Sequence, residues 1–203
     1  NEPEQVINAI RQMVTDRIPK RFGLDPFRDV QVLSPQVKTA LGVASLNREL
    51  QAALNPPRPG LAEVKRFDNT FRIGDKVMQM KNNYDREVFN GDIGRVTAID
   101  ADDQILLAEF EGRDVEYDFN DLDELQLSYA CSIHKSQGSE YPAVVIPVHY
   151  QHYTMLQRNL IYTGITRGRK LVALVGSRKA LWKAVTSAET KMRYSLLKWR
   201  LMA

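Results

Sequence analysis

The sequence predicts an α/β fold: a parallel sheet flanked by helices, interrupted by a small β-barrel insertion. Three observations carry that prediction. The run Ala143-Val144-Val145-Ile146 is unbroken apolar, as in a strand buried on both faces of a parallel sheet. From residue 126 onward such runs alternate with helical patterns, which is the signature of βα units. Between Thr70 and Leu125 that alternation gives way to short β-like runs separated by turn residues, the pattern of a small antiparallel barrel.

Residues 3 to 17 place Val6, Ile7, Ile10, Met13 and Val14 at helical spacing, and Pro19 and Gly23 are expected to end that helix. Val30-Gln31-Val32-Leu33 reads as a short strand stopping at Ser34-Pro35. Leu46, Leu50 and Leu54 share one face of a second helix, which Asn55-Pro56-Pro57 terminates. The segment from Pro56 to Gly60 reads as a linker.

Four β runs follow, at Lys76–Lys81, Gly94–Ile99, Ile105–Phe110 and Val115–Phe119. Turns are marked by Asn90-Gly91-Asp92, by Asp100 to Asp103 and by Glu111-Gly112. After the insertion come a strand over Leu127–Ala130 and a short helix from Ser132. A strand over Ala143–Val148 and a helix over Met155–Thr166 follow, then a strand over Leu171–Val175 and a helix over Lys179–Val185. The domain division is therefore 1–69 with 126–190, an insertion at 70–125, and a tail at 191–203.

Composition narrows the function classes. The chain has 203 residues, 43% hydrophobic and 26% charged, ordinary for a globular protein. No apolar run approaches the roughly 20 residues of a membrane span. The single cysteine, Cys131, excludes an intrachain disulfide framework and fits a reducing, cytoplasmic setting; its neighbours Tyr129, Ala130 and Ile133 mark it as a small core residue. A net charge of +3 is too mild to imply nucleic acid by itself. No charged-then-apolar leader is visible, and the chain reads as a piece of something longer.

Two stretches concentrate polar groups. Ser132, His134, Lys135, Ser136, Gln137, Gly138, Ser139 and Glu140 stand directly before the buried strand at 143. Polar loops at the ends of such strands bind ligands in α/β folds. The second stretch, "QRNLIYTGITRGRK", puts Thr166-Arg167-Gly168-Arg169 between a helix and a strand. There a guanidinium suits phosphate or carboxylate, although a solvated cationic helix face is the simpler account. His149 and His152 lack acidic or cysteine partners in sequence, so core or surface histidines explain them better than a metal site. No GxxxxGK[ST] and no GxGxxG loop is present.

"LSYACSIHKSQGSEYPAVVIP" followed by "RNLIYTGITRGRKLVALVG" resembles motifs V and VI of superfamily 1 helicases, closest to the RecD-like branch of DNA helicases. "FRIGDKVMQMKNNYDREVFNGDIG" resembles the opening of the SH3-like barrel of that branch. "VQVLSPQVKTALGVASLNRELQ" resembles the segment opening its second motor domain. The resemblance implies a second RecA-like motor domain interrupted by an SH3-like insertion. The family's first motor domain, with its Walker A lysine and Mg²⁺-binding carboxylate, would precede Asn1.

What the resemblance implies for the residues follows. Arg167 aligns with the arginine finger that stabilises charge on the γ-phosphate of ATP. Gly138 and Glu140 would face nucleotide, with Gly138 allowing close backbone approach. Ser132 and His134 would face the DNA backbone. Asn82, Asn83 and Tyr84, with Lys81 and Arg86 nearby, would contact single-stranded DNA, Tyr84 by stacking; local turn bonds are the simpler account for the amides and for Asn90. Lys38, after the first strand, is a secondary candidate for phosphate contact. ATP and Mg²⁺ are the cofactors of the complete enzyme, and none is expected on this chain alone. The implied partners are single-stranded DNA, ATP and the missing N-terminal motor domain, with no membrane. The resemblance leaves open an enzyme acting alone and one inside a nuclease complex. A non-catalytic nucleic-acid-binding module is the competing class, and a conjugative relaxase helicase domain the competing branch.

Overall fold

A computed structural model describes residues 2–187. The first helix, α1 (Pro3–Gln12), runs into a π-helical turn at Met13–Arg17 and then into α2 (Ile18–Phe22). Pro19 therefore does not end the helix, contrary to the sequence expectation. A proline inside a helix lacks an N–H and crowds the carbonyl four residues earlier. The widened π turn before it accommodates both defects. Gly23, at φ 65°, makes the stop, and its N–H is donated to the Pro19 carbonyl.

Strand β1 (Val30–Ser34) and helix α3 (Val43–Leu54) follow as the sequence predicts. Next come β2 (Glu63–Arg66) and β3 (Asn69–Arg72), an antiparallel hairpin that sequence reasoning did not anticipate. Only Val64 and Phe71 are buried in it, and its two-residue turn lacks the usual glycine. The apolar and turn signals were both too sparse to read.

Strands β4 (Lys76–Gln79), β5 (Ile93–Asp100), β6 (Ile105–Phe110) and β7 (Arg113–Asp118) match the four runs read from sequence. After a 3-10 turn at Phe119–Glu124, β8 (Leu125–Leu127) returns to pair with β4, completing a sheet of order β7-β6-β5-β4-β8. The Tyr117 hydroxyl on β7 donates to Gln79 Oε1 on β4 at 2.8 Å. Those strands lie three places apart, so the sheet is curled onto itself, as a barrel requires.

The strand expected over Leu127–Ala130 is thus two strands. β8 completes the curled sheet, and β9 (Ala130–Ser132) joins the parallel one. The short helix expected from Ser132 is instead a series of tight turns through Gly138. Strand β10 (Tyr141–Val148), a 3-10 turn at Tyr150–Met155, α4 (Arg158–Ile165), β11 (Gly168–Gly176) and α5 (Arg178–Thr186) complete the described chain. The proposed tail, 191–203, lies outside the described residues.

The four-stranded parallel sheet has the order β11-β10-β1-β9. Alternate residues of β10 face opposite layers. Ala143 and Val145 pack with Val6 and Ile10 of α1, whereas Val144 and Ile146 pack with Leu160 and Ile161 of α4 and Ala180 of α5. Both faces are covered, which is why the strand reads as continuous apolar sequence. Fully burying each such valine or isoleucine contributes about 1.5–3 kcal/mol. Pro142 is tolerated because β10 bulges against β11 between Tyr141 and Ala143.

Two buried polar side chains join the layers. Asp75, with no solvent exposure, accepts from Gln51 Nε2 (2.6 Å), Asn55 Nδ2 (2.7 Å), Tyr129 Oη (2.8 Å) and the Arg72 N–H (2.7 Å). Asn47 of α3 donates to the Leu127 and Ala130 carbonyls and accepts from the Ala130 N–H, holding the crossover between β8 and β9. Asp75→Ala strands several buried donors at about 1–3 kcal/mol each. It is expected to lower unfolding free energy in urea by more than about 3 kcal/mol; a loss under about 1 kcal/mol would show that the carboxylate holds nothing together.

Candidate functional site

The loop from Ser132 to Glu140 joins the C-terminal end of β9 to the N-terminal end of β10. Because those strands are parallel, the loop must cross from one edge of the sheet to the other. Ser132 lies level with Ser34 on β1. By the β1–β10 register that level is near Pro147, six residues along the strand from Tyr141. At about 3.3 Å per residue the two ends of the loop sit roughly 20 Å apart.

Local hydrogen bonds shape the loop. The Ser132 hydroxyl accepts from the Lys135 N–H at 3.2 Å, and buried Ser136 Oγ donates to the Ile133 carbonyl at 2.7 Å. The Gln137 and Ser139 N–H groups are donated to the carbonyls of His134 and Ser136. His134, Gln137 and Gly138 are left exposed. Gly138 has φ 89°, and a Cβ there would meet nothing within 4 Å. Its glycine serves the left-handed turn, and the space before it is open.

At the Glu140 end, Arg167 is half-buried. Its guanidinium donates to the Thr163 carbonyl (3.2 Å), the Ser139 carbonyl (3.1 Å) and Thr166 Oγ1 (3.2 Å). The Arg167 carbonyl accepts from the Tyr141 N–H. The residue thereby ties the end of α4 to the loop through neutral partners, and among the described residues no carboxylate pairs with its charge. Arg169 instead donates to Glu140 Oε2 at 2.6 Å, and both partners are exposed. Such a surface pair is worth about 0–1 kcal/mol and opens readily to an incoming ligand.

At the Ser132 end the curled sheet comes close. Lys135 Nζ reaches Met80 Sδ (3.2 Å) and Asn90 Oδ1 (3.4 Å), and burial lowers its pKa. Asn82 Oδ1 accepts from the Asn90 N–H. Asn83 accepts from the Arg86 N–H and donates to Glu124. Both amides, expected as DNA contacts, are thus engaged in shaping the hairpin. Lys81 and Arg86 are paired with Asp123 and Asp121. Tyr84 remains 74% exposed, edge-on to Phe89 with ring centroids 5.9 Å apart. Phe89, itself partly exposed, was not singled out from sequence; its signal was an apolar residue between the hairpin and the Asn90-Gly91 turn.

His149 Nδ1 accepts from the Gln151 N–H, while His152 is buried and its imidazole is held down to about 4, chiefly by that burial. Burial also pushes the Cys131 thiol up to about 12, far from a reactive thiolate. No described helix is long and apolar enough to cross a membrane.

The chain is similar to known proteins over most of its length. Residues 46–110 match the SH3 domain of ATP-dependent RecD-like DNA helicases, and residues 127–175 match the UvrD-like helicase C-terminal domain. Over 86% of its length the chain is 40% identical to the ATP-dependent RecD2 DNA helicase of Deinococcus radiodurans. The chain resembles the C-terminal part of RecD-like superfamily 1 helicases. The RecD subunit of the RecBCD enzyme of Haemophilus influenzae is 28% identical over 84% of the chain. The RecD-like stretch spans about a quarter of these relatives, 24% and 25% of their lengths.

Solved structures of similar fold include Pif1 helicase from Bacteroides in complex with ADP-AlF3 and ssDNA. It has a TM-score of 0.57 and 16% identity, and the match covers all of this chain and 50% of that one. Pif1 helicase from Candida albicans has a TM-score of 0.55 and 16% identity, over 99% and 57%. The SH3-like insertion and the parallel sheet expected from sequence are thereby supported as a fold.

Gly138→Ala places a side chain in the left-handed region with no compensating contact. It is expected to cost about 1–2 kcal/mol in a thermal or urea melt. An unchanged melt would mean that the turn has no need of glycine.

Proposed function

We propose that this chain is the second motor domain, with its SH3-like insertion, of an ATP-dependent DNA helicase that translocates 5′ to 3′ on single-stranded DNA. One observation carries the reading: a single polar loop runs from Ser132 and His134 at one edge of the parallel sheet to Glu140 at the other. There Arg167 points its guanidinium, with which no carboxylate pairs among the described residues. A motor must couple nucleotide state to its grip on the track, and a loop anchored on a buried strand transmits that state over the intervening distance.

In this reading Arg167 is the arginine finger, acting on charge that develops on the γ-phosphate. Gly138 and Glu140 face nucleotide, Glu140 exchanging its exposed partner Arg169 for the ligand. Ser132 and His134 donate to DNA phosphates. Tyr84 offers a ring for base stacking, while Asn82 and Asn83 position it. ATP and Mg²⁺ bind when the first motor domain of the parent polypeptide supplies the phosphate loop, which this sequence lacks. The chain's own residues supply orientation, the finger and part of the track. A soluble cytoplasmic enzyme, alone or within a nuclease complex, is the setting.

The purified chain is expected to hydrolyse no ATP; turnover abolished by Arg167→Ala would sink the fragment reading. In the complete enzyme, Arg167→Ala is expected to cut DNA-stimulated ATP turnover by about 10³–10⁵ with DNA affinity nearly unchanged. Arg167→Lys is expected to rescue poorly, because the ammonium lacks the planar fork; full activity with lysine would reduce Arg167 to a surface cation. Tyr84→Ala is expected to leave the melting temperature nearly unchanged and weaken single-strand binding by about 1–3 kcal/mol. Unaltered binding in a fluorescence titration would remove the tyrosine from the track.

A further inference from the structure

The β2–β3 hairpin turns through Phe67 and Asp68, and Phe67 sits at φ 51°. That is where a tight hairpin ordinarily carries glycine. A bulky side chain in the left-handed region is disfavoured, and such outliers persist where function outweighs local stability. Phe67 gains no burial in exchange, because it is 69% exposed. The Arg66 guanidinium lies 4.9 Å from its ring centroid, steadying the ring without covering it.

Beneath this hairpin is a groove of about 850 Å³, walled by Phe67, by the turn after β1 and by the start of α3. Lys38, Arg48 and Lys65 line it, all exposed, against one carboxylate, Asp68. Among the described residues none of the three cations is held in an ion pair, in contrast to Lys81 and Arg86. The groove also includes Gln126 and Leu127, which precede β9, and it opens beside the C-terminal end of β1, level with Ser132. It continues the edge of the sheet where Ser132 and His134 lie.

We infer that this groove is a second contact for single-stranded nucleic acid: Phe67 stacks on a base, and Lys38, Arg48 and Lys65 receive the adjoining phosphates. An exposed aromatic ring beside unpaired cations is the chemistry of single-strand binding. The inference rests on the single-strand reading above and extends the track from the Ser132 edge to the hairpin.

The test titrates the 203-residue chain with fluorescein-labelled oligothymidylate of about 16 nucleotides, near the upper end of single-strand site sizes, at several salt concentrations, with thermal melts alongside. Phe67→Gly is expected to raise the melting temperature, by relieving the turn, and to weaken binding about fivefold to a hundredfold. Lys65→Glu is expected to melt like the parent chain and to lower the salt slope by about 1 or more. A merely structural Phe67 would not yield a stabler protein that binds worse. If Phe67→Gly lowers the melt, the decision passes to Lys65→Glu, and unaltered affinity and slope there overturn the groove. Groove variants that bind like the parent chain while Tyr84→Ala and His134→Ala weaken binding overturn the groove and leave the single-strand reading standing. The reverse pattern supports the groove and removes the loop contacts. Displacement of the oligonucleotide by polyglutamate at equal charge concentration would make the occupant an acidic protein segment and overturn the proposal. A parent chain with no affinity for the oligonucleotide overturns both.

Discussion

Four donors converge on the Asp75 carboxylate, and they come from parts of the chain with little else in common. Gln51 belongs to α3 and Asn55 caps its C-terminus, while Tyr129 belongs to the crossover between sheets and Arg72 to the end of the β2–β3 hairpin. Burial raises the carboxyl pKa while those donors oppose the rise, as expected of an anion removed from water but well hydrogen-bonded. Hydrogen bonds to a buried charge are stronger than neutral ones, and losing any one is costly. The carboxylate therefore fixes α3, the hairpin and the crossover at one point.

The other consequence of the crossover lies in strand direction. Leu127 ends a strand of the curled sheet, and three residues later Ala130 begins one of the parallel sheet. Asn47 bonds the backbone of both flanking residues, the Leu127 and Ala130 carbonyls and the Ala130 N–H, which keeps the transition short. A short transition leaves the insertion hanging close over the loop that follows β9. Lys135 can then touch Met80 and Asn90 from the opposite sheet. The exposed aromatic pair Tyr84–Phe89 and the polar loop thereby form one neighbourhood, although about fifty residues separate them in sequence. At the far edge of the sheet Arg167 is tied into the same loop through Ser139. The Ser132 and Glu140 ends of the loop are mechanically continuous through a rigid, doubly covered sheet.

The sequence by itself determined the periodic and the chemical parts of this protein. Continuous apolar residues at 143–148 required a strand covered on two faces. The spacing of Leu46, Leu50 and Leu54 required a helix, and the motif residues from Ser132 to Glu140 and from Thr166 to Arg169 were legible because each lies within one local segment. Tertiary structure alone decided the rest. The stretch around Leu127–Ala130 looks like one strand because both halves are apolar, yet pairing partners far away in the chain split it between two sheets. The β2–β3 hairpin was invisible because its stability comes from Val64 and Phe71 docking into a core that other segments build. Lys81 and Arg86 read as free cations until acidic residues some forty positions away neutralised them, whereas among the described residues Lys38, Arg48 and Lys65 meet no ion-pair partner. Local pattern reports what a segment can bury and which turn it can make; which strand it pairs with, and which charges meet, depends on contacts between segments that no local window contains.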